Sequence, residues 1–224
     1  MNIKFSHVTI KNLYLVLPIF VFLSFPCHAN SSHEGVPTIK DPAQIIFTEY
    51  FGKEVQVILK NKIEKVRTYF TENHKVSNLI TTLGQKNINL NQSSINDLDK
   101  IWSSSLEIDD IKKKYLINPL AEYLYQFQEK DLTLMEVFVT DARGLIIAMN
   151  NVTSDYNQAD EHWWQEAYHY GEGGVYISQI EYDESLNAKS IAVSFPVYAD
   201  NTQEVIGILK CVYSLMAIRI ENNL

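Results

Sequence analysis

Apolar residues recur at helical spacing from Ala43 to about Phe70: Phe47, Phe51, Val55 and Ile58 form one stripe, then Leu59, Ile63, Val66 and Phe70. The spacing predicts one long amphipathic helix over 43–70. A second is expected over Lys75–Leu83, with Val76, Leu79, Ile80 and Leu83 inward and Gly84 as its stop. Ser94, with Asp97 three residues on, has the form of a capping box that opens a helix through Ile95, Leu98, Ile101 and Trp102. Asn118 as N-cap and Pro119 as first helical residue start another, which turns Leu120, Leu124 and Phe127 inward.

After Glu129 the period changes. MEVFVT and LIIAM flank Asp141-Ala142-Arg143-Gly144 and read as a hairpin, and Val175–Ile180, Lys189–Val197 and Glu204–Tyr213 are three further strands. Pro196 cannot donate to a ladder, which places its strand at an edge or a bulge. Between the second and third strands, Asp160–Tyr168 reads as a short helix that Asp160 caps and Gly171 ends. Strands joined by short turns, behind helices gathered at the front of the chain, predict an α+β fold with an antiparallel sheet.

Composition narrows the function. The chain has 224 residues, 46% apolar, with a formal net charge of −8, so it offers no basic footprint for nucleic acid or for anionic membrane. Residues 13–25 form an apolar run behind Lys4 and Lys11, and Cys27-His28-Ala29 supplies small residues for a cut after Ala29. The expectation is a signal peptide over 1–29, a polar linker over 30–42 and one domain over 43–224, in the periplasm or secreted. The alternative is an inner-membrane anchor through residues 13–25. Cleavage leaves Cys211 as the only cysteine, so hydrophobic burial rather than a disulfide must hold the fold; the apolar run around Cys211 marks it as buried and inert.

The element order resembles the PAS-like extracytoplasmic sensor domains called Cache or PDC. So do the segments Val139-Thr140-Asp141-Ala142-Arg143-Gly144, Asp155-Tyr156, Glu161-His162-Trp163-Trp164, Tyr182-Asp183, Phe195-Pro196-Val197 and Val205-Ile206-Gly207. The resemblance covers about residues 43–215. It implies a long N-terminal helix, a PAS-like core over about 117–215 with a five-stranded antiparallel sheet, and a small-molecule pocket on one sheet face. In the amino-acid-binding branch, Tyr156, Trp163, Trp164 and Asp183 match the expected Tyr, aromatic pair and loop Asp. Glu161, however, stands where an Arg would clamp a carboxylate, and Val212 or its neighbour stands where a last Asp would hold an ammonium. The departures argue against a free amino acid or a dicarboxylate as ligand.

The candidate ligand-binding residues are Tyr156, Glu161, Trp163, Trp164, Tyr176, Tyr182 and Asp183. Aromatic faces beside Glu161, Asp183 and Asp155 suit a cationic or amine ligand, and the tyrosine hydroxyls supply polar fixtures in an apolar seat. Adjacent tryptophans on a helix point about 100° apart, so one is expected in the core and the other at the ligand. His162 and His169 lack a third ligand at metal spacing, and Gly171-Glu172-Gly173-Gly174 follows a helix where a phosphate-cradling loop would follow a strand. No G-x-S-x-G, H-E-x-x-H or Cys/His signature is present. The expectation is a sensor module with no catalytic residues, metal or cofactor. With no kinase, methyl-accepting or cyclase region in the chain, it would signal through a membrane receptor or kinase partner, or as a homodimer through the first helix. The alternatives are a membrane-anchored fragment of such a receptor and an exported hydrolase.

Overall fold

A computed structural model describes residues 52–71, 73–106, 109–183, 187–200 and 202–223, with Thr71 and Asp183 as backbone only. The expected signal peptide, the linker and the front of the first helix lie outside the described residues. The helices are α1 (Lys53–Thr71), α2 (His74–Gly84), α3 (Gln92–Ser104), α4 (Asp110–Leu116), α5 (Pro119–Gln128), α6 (His162–Tyr168) and α7 (Leu215–Glu221). The strands are β1 (Leu134–Asp141), β2 (Ile146–Met149), β3 (Tyr176–Ile177), β4 (Glu181–Asp183), β5 (Ala188–Tyr198) and β6 (Val205–Ser214).

α1 buries the expected second stripe, Leu59, Ile63, Val66 and Phe70, together with Val55 of the first. The chain's own core consumes these residues, and Val57 is the one large apolar side chain of the described helix left exposed. α3 starts earlier than expected. Asn91, in extended backbone, accepts from the Ser94 N–H at 2.9 Å, so Asn91 is the cap and Ser94 lies inside the helix. At α5 the expected cap holds: Asn118 Oδ1 accepts from the N–H groups of Leu120 and Ala121, each at 3.0 Å. Its Nδ2 also donates to the Ile147 carbonyl at 2.8 Å, which ties α5 to β2.

The sheet is antiparallel with the order β2-β1-β6-β5-β3, and β4 also pairs with β5. It therefore has six strands among the described residues where five were expected. The difference arises at Ser178. Its N–H donates to the Ala192 carbonyl, but its hydroxyl, not its carbonyl, accepts from the Ala192 N–H, so the ladder breaks and the expected strand 175–180 divides into β3 and the later β4. Pro196 pairs with Ile208 of β6, while β3 stops pairing at Ser194, and the register shifts one residue later. β5 is thus an edge locally at its proline, as the missing N–H requires.

Alternation along the strands separates two cores. Val137, Val139, Ile191, Val193, Leu209 and Cys211 pack with α1, α2 and α5. Phe138 and Ile208 face the other way, toward Trp102, Tyr156, Trp163 and Trp164. Cys211 is fully buried, and burial pushes its thiol pKa well up, which keeps it inert as expected.

Candidate functional site

α6 lies on the second face. Its N-cap position is Glu161, in extended backbone and without a side-chain cap bond, so the expected cap Asp160 stands one residue outside. His169 and Tyr170 end the helix with positive φ, followed by Gly171 at +88°. Both tryptophans turn to the sheet. Trp164 donates from Nε1 to Thr140 Oγ1 at 2.9 Å and stacks on Tyr168 with centroids 4.7 Å apart, so its role is to pin the helix to β1. Trp163 meets Phe138 edge to face at 5.6 Å.

Below Trp163 one row crosses the sheet: Met149, Phe138, Lys210, Ser194 and Tyr176 stand opposite one another on β2, β1, β6, β5 and β3. The Lys210 ammonium lies 4.5 Å from the Trp163 ring centroid and 5.4 Å from that of Phe138. Among the described residues no carboxylate stands within ion-pair distance of it. Burial pulls its pKa down, while Glu136, Glu161, Glu181 and Asp155 act from farther away to draw it up. Ser194 beside it is fully buried, and its hydroxyl has no hydrogen-bond partner. Tyr176 closes the row, half-buried, with its ring edge-on to His162 at 5.6 Å. Burial, then Glu181 and Glu166, raise its hydroxyl pKa.

The remaining candidates divide. Tyr156 is buried between Trp102 and Tyr115, each 5.6 Å away, and donates to Asn87 Oδ1 at 3.2 Å; burial raises its pKa far above the ordinary value. It belongs to the aromatic cluster under α3 and α4. Glu161 is exposed at the helix start, and Asp155 is half-buried nearby, raised by burial and then by Glu161. Tyr182 lies apart: it pairs with Lys189, is 60% exposed, and bonds Asn187 through its hydroxyl. Asp183 pairs with Ala188, six residues along β5 from Ser194, which at the usual strand rise is about 20 Å away. The aromatic pair and the acidic loop therefore do not converge. Two hollows elsewhere among the described residues also avoid α6. One, of about 140 Å³, lies between Lys86, Lys114 and Tyr115; the other, of about 560 Å³, lies between Lys65, Tyr69 and Lys130.

Lys210 and Ser194 were not among the expected site residues. The available signal was a lysine in the middle of an apolar strand, flanked by Leu209 and Cys211. Alternation puts it on the face opposite those two, but only strand pairing reveals Ser194 and Phe138 as its neighbours.

No protein-family model matches the chain, and no curated protein sequence does. Among solved structures it is similar to the ligand-binding domain of the Campylobacter jejuni chemoreceptor Tlp3 in complex with 4-methylisoleucine, at 16% identity and a TM-score of 0.37. That similarity covers 69% of this chain and 62% of the Tlp3 domain, less than two thirds of its length. The ligand-binding domain of the Pseudomonas aeruginosa PAO1 amino acid chemoreceptor PctC in complex with GABA is similar at 15% identity and a TM-score of 0.37, over 74% of this chain and 66% of that one. The E. coli DcuS sensor domain is similar at 18% identity and a TM-score of 0.36, over 65% of this chain and 98% of that one.

Proposed function

We propose that the protein is an exported sensor module whose small-molecule ligand sits on the α6 face of the sheet, against Trp163, Phe138 and Tyr176, with Glu161 at the rim. One observation carries the reading: beside Lys210 and among aromatic side chains, the row beneath Trp163 holds a buried Ser194 hydroxyl that satisfies no protein group. Buried polar atoms are ordinarily hydrogen-bonded, and binding seats are apolar surfaces with a few polar fixtures. Tyr156 and Trp164 serve as walls, and Tyr182 and Asp183 take no part. The domain extends over 43–224. Export rests on the pattern of residues 1–29 alone, and the signal passes to a membrane partner. Within 53–71 the buried apolar residues of α1 pack in the chain's own core, so a homodimer through the first helix would have to use its other surfaces.

A thermal-shift screen of the purified full chain against amines, organic acids, amino acids and sugars tests the reading. At least one compound is expected to raise the melting temperature, with the effect lost in Trp163→Ala and Tyr176→Ala but kept in Tyr182→Ala. A screen with no stabilising compound, or a stabilisation indifferent to Trp163, overturns it.

A further inference from the structure

The geometry points to an anion-binding subsite at the centre of this row: Lys210 Nζ and the Ser194 hydroxyl hold the single carboxylate, or like oxyanion, of a ligand whose apolar body lies against Trp163 and Phe138. This deepens the reading above and rests on it. The sign is opposite to what the acidic residues of the segment suggest by themselves, and three observations set it.

Lys210 presents its ammonium to two ring faces. Such contacts offset part of the loss of water around a cation, but a half-buried ammonium ordinarily also has a carboxylate or carbonyl, and this one has no carboxylate among the described residues. Ser194 stands directly opposite Lys210 on the neighbouring strand, on the same face, with an unused hydroxyl. Opposed residues of an antiparallel pair carry their Cβ atoms about 4.5–5.5 Å apart, so the lysine and serine side chains rise from adjacent points on one face of the sheet. An ammonium and a hydroxyl are two donors; a cationic ligand group would meet a like charge at the point where the row offers its polar atoms. Finally, Glu136, Glu161, Glu181 and Asp155 each act on Lys210 through their negative charge. Their field opposes a second negative charge, so the class is a monoanion with an apolar body, not a dianion.

The test uses sets of probes matched in shape and differing in charge: benzoate, benzylamine and benzyl alcohol, and hexanoate, hexylamine and hexanol, with succinate as the dianion. Each is titrated into the purified full chain by calorimetry and by thermal shift. The monocarboxylates alone are expected to bind. Lys210→Met weakens them about tenfold to a hundredfold, the scale of one charge-assisted hydrogen bond, Ser194→Ala weakens them less, and Lys210→Arg restores part of the loss. Lys210→Met is expected to melt at or above the wild-type temperature, because it removes an unpaired cation, so lost binding is not lost folding. Binding of the amine or alcohol members that depends on Trp163, or carboxylate binding that survives Lys210→Met, overturns the anion subsite and leaves the small-molecule reading standing. If no probe and no compound of the wider screen binds, both fall together.

Discussion

Gly144 shows how one residue can be dictated by backbone geometry. It has φ +81°, and a Cβ there would lie 2.7 Å from the backbone of Ala159. Gly144→Ala is therefore expected to destabilise the protein by about 1–3 kcal/mol, read as a lower urea midpoint with unchanged slope; an unchanged midpoint would mean the loop 151–161 yields freely. The adjacent Asp141 is buried yet well supplied, accepting from the N–H groups of Arg143 and Leu145 and from Asn87 Nδ2. Burial still outweighs those donors and raises its pKa. At Trp164 the stake is one hydrogen bond. Trp164→Phe keeps most of the stacked ring but orphans the Thr140 hydroxyl, at an expected cost of about 1–3 kcal/mol, and the double variant with Thr140→Val should recover much of that loss.

At the scale of elements, caps decide where helices begin and which neighbours they hold. Asn118→Ala removes the acceptor of two N–H groups and the bond from α5 to the Ile147 carbonyl, so a loss of about 1–2 kcal/mol is expected in chemical denaturation. Asn118→Asp keeps the acceptors and loses only the donor, and should fall between. α5 was legible because Asn-Pro leaves little choice of start. The start of α3 was not, since Asn91 and Ser94 are both competent caps and the backbone of Asn91 settles the matter. α4 and α7 escaped notice because seven residues are too few for a period to show, whereas α6, equally short, was marked by Asp160 before it and Gly171 after it.

Across the whole molecule, Lys62 of α1 joins the segment before β1 to the carboxy-terminal helix. Its Nζ lies 2.9 Å from Asp131 and 3.1 Å from Glu221. Burial works against charge on Asp131, but the Thr133 hydroxyl at 2.6 Å and the Lys62 ammonium outweigh it and hold the carboxyl below its ordinary value. A depressed carboxylate pKa contributes stability that is present above the unfolded value of 3.8 and lost as pH falls through the folded one. Asp131→Asn should cost about 1.5–3 kcal/mol at pH 7, with the deficit shrinking toward zero in acid; a deficit that stays constant down to pH 3 would count against the pairing. The longest strands, β5 and β6, pair over most of their length and should carry the slowest amide exchange, with the short helix α6 opening first.

The order of residue types alone determined that this chain folds as helices followed by an antiparallel sheet. Helical and strand periods are local, and each records which side of an element must leave water. It also determined that Cys211 is buried and that α1 is amphipathic. Tertiary structure decided what stands beside what. Strand register set Lys210 between Phe138 and Ser194, and moved Tyr182 and Asp183 away along β5. Pairing depends on hydrogen bonds between residues distant along the chain, and no local period encodes it. The charge at the middle of the row was therefore visible only once the strands were aligned.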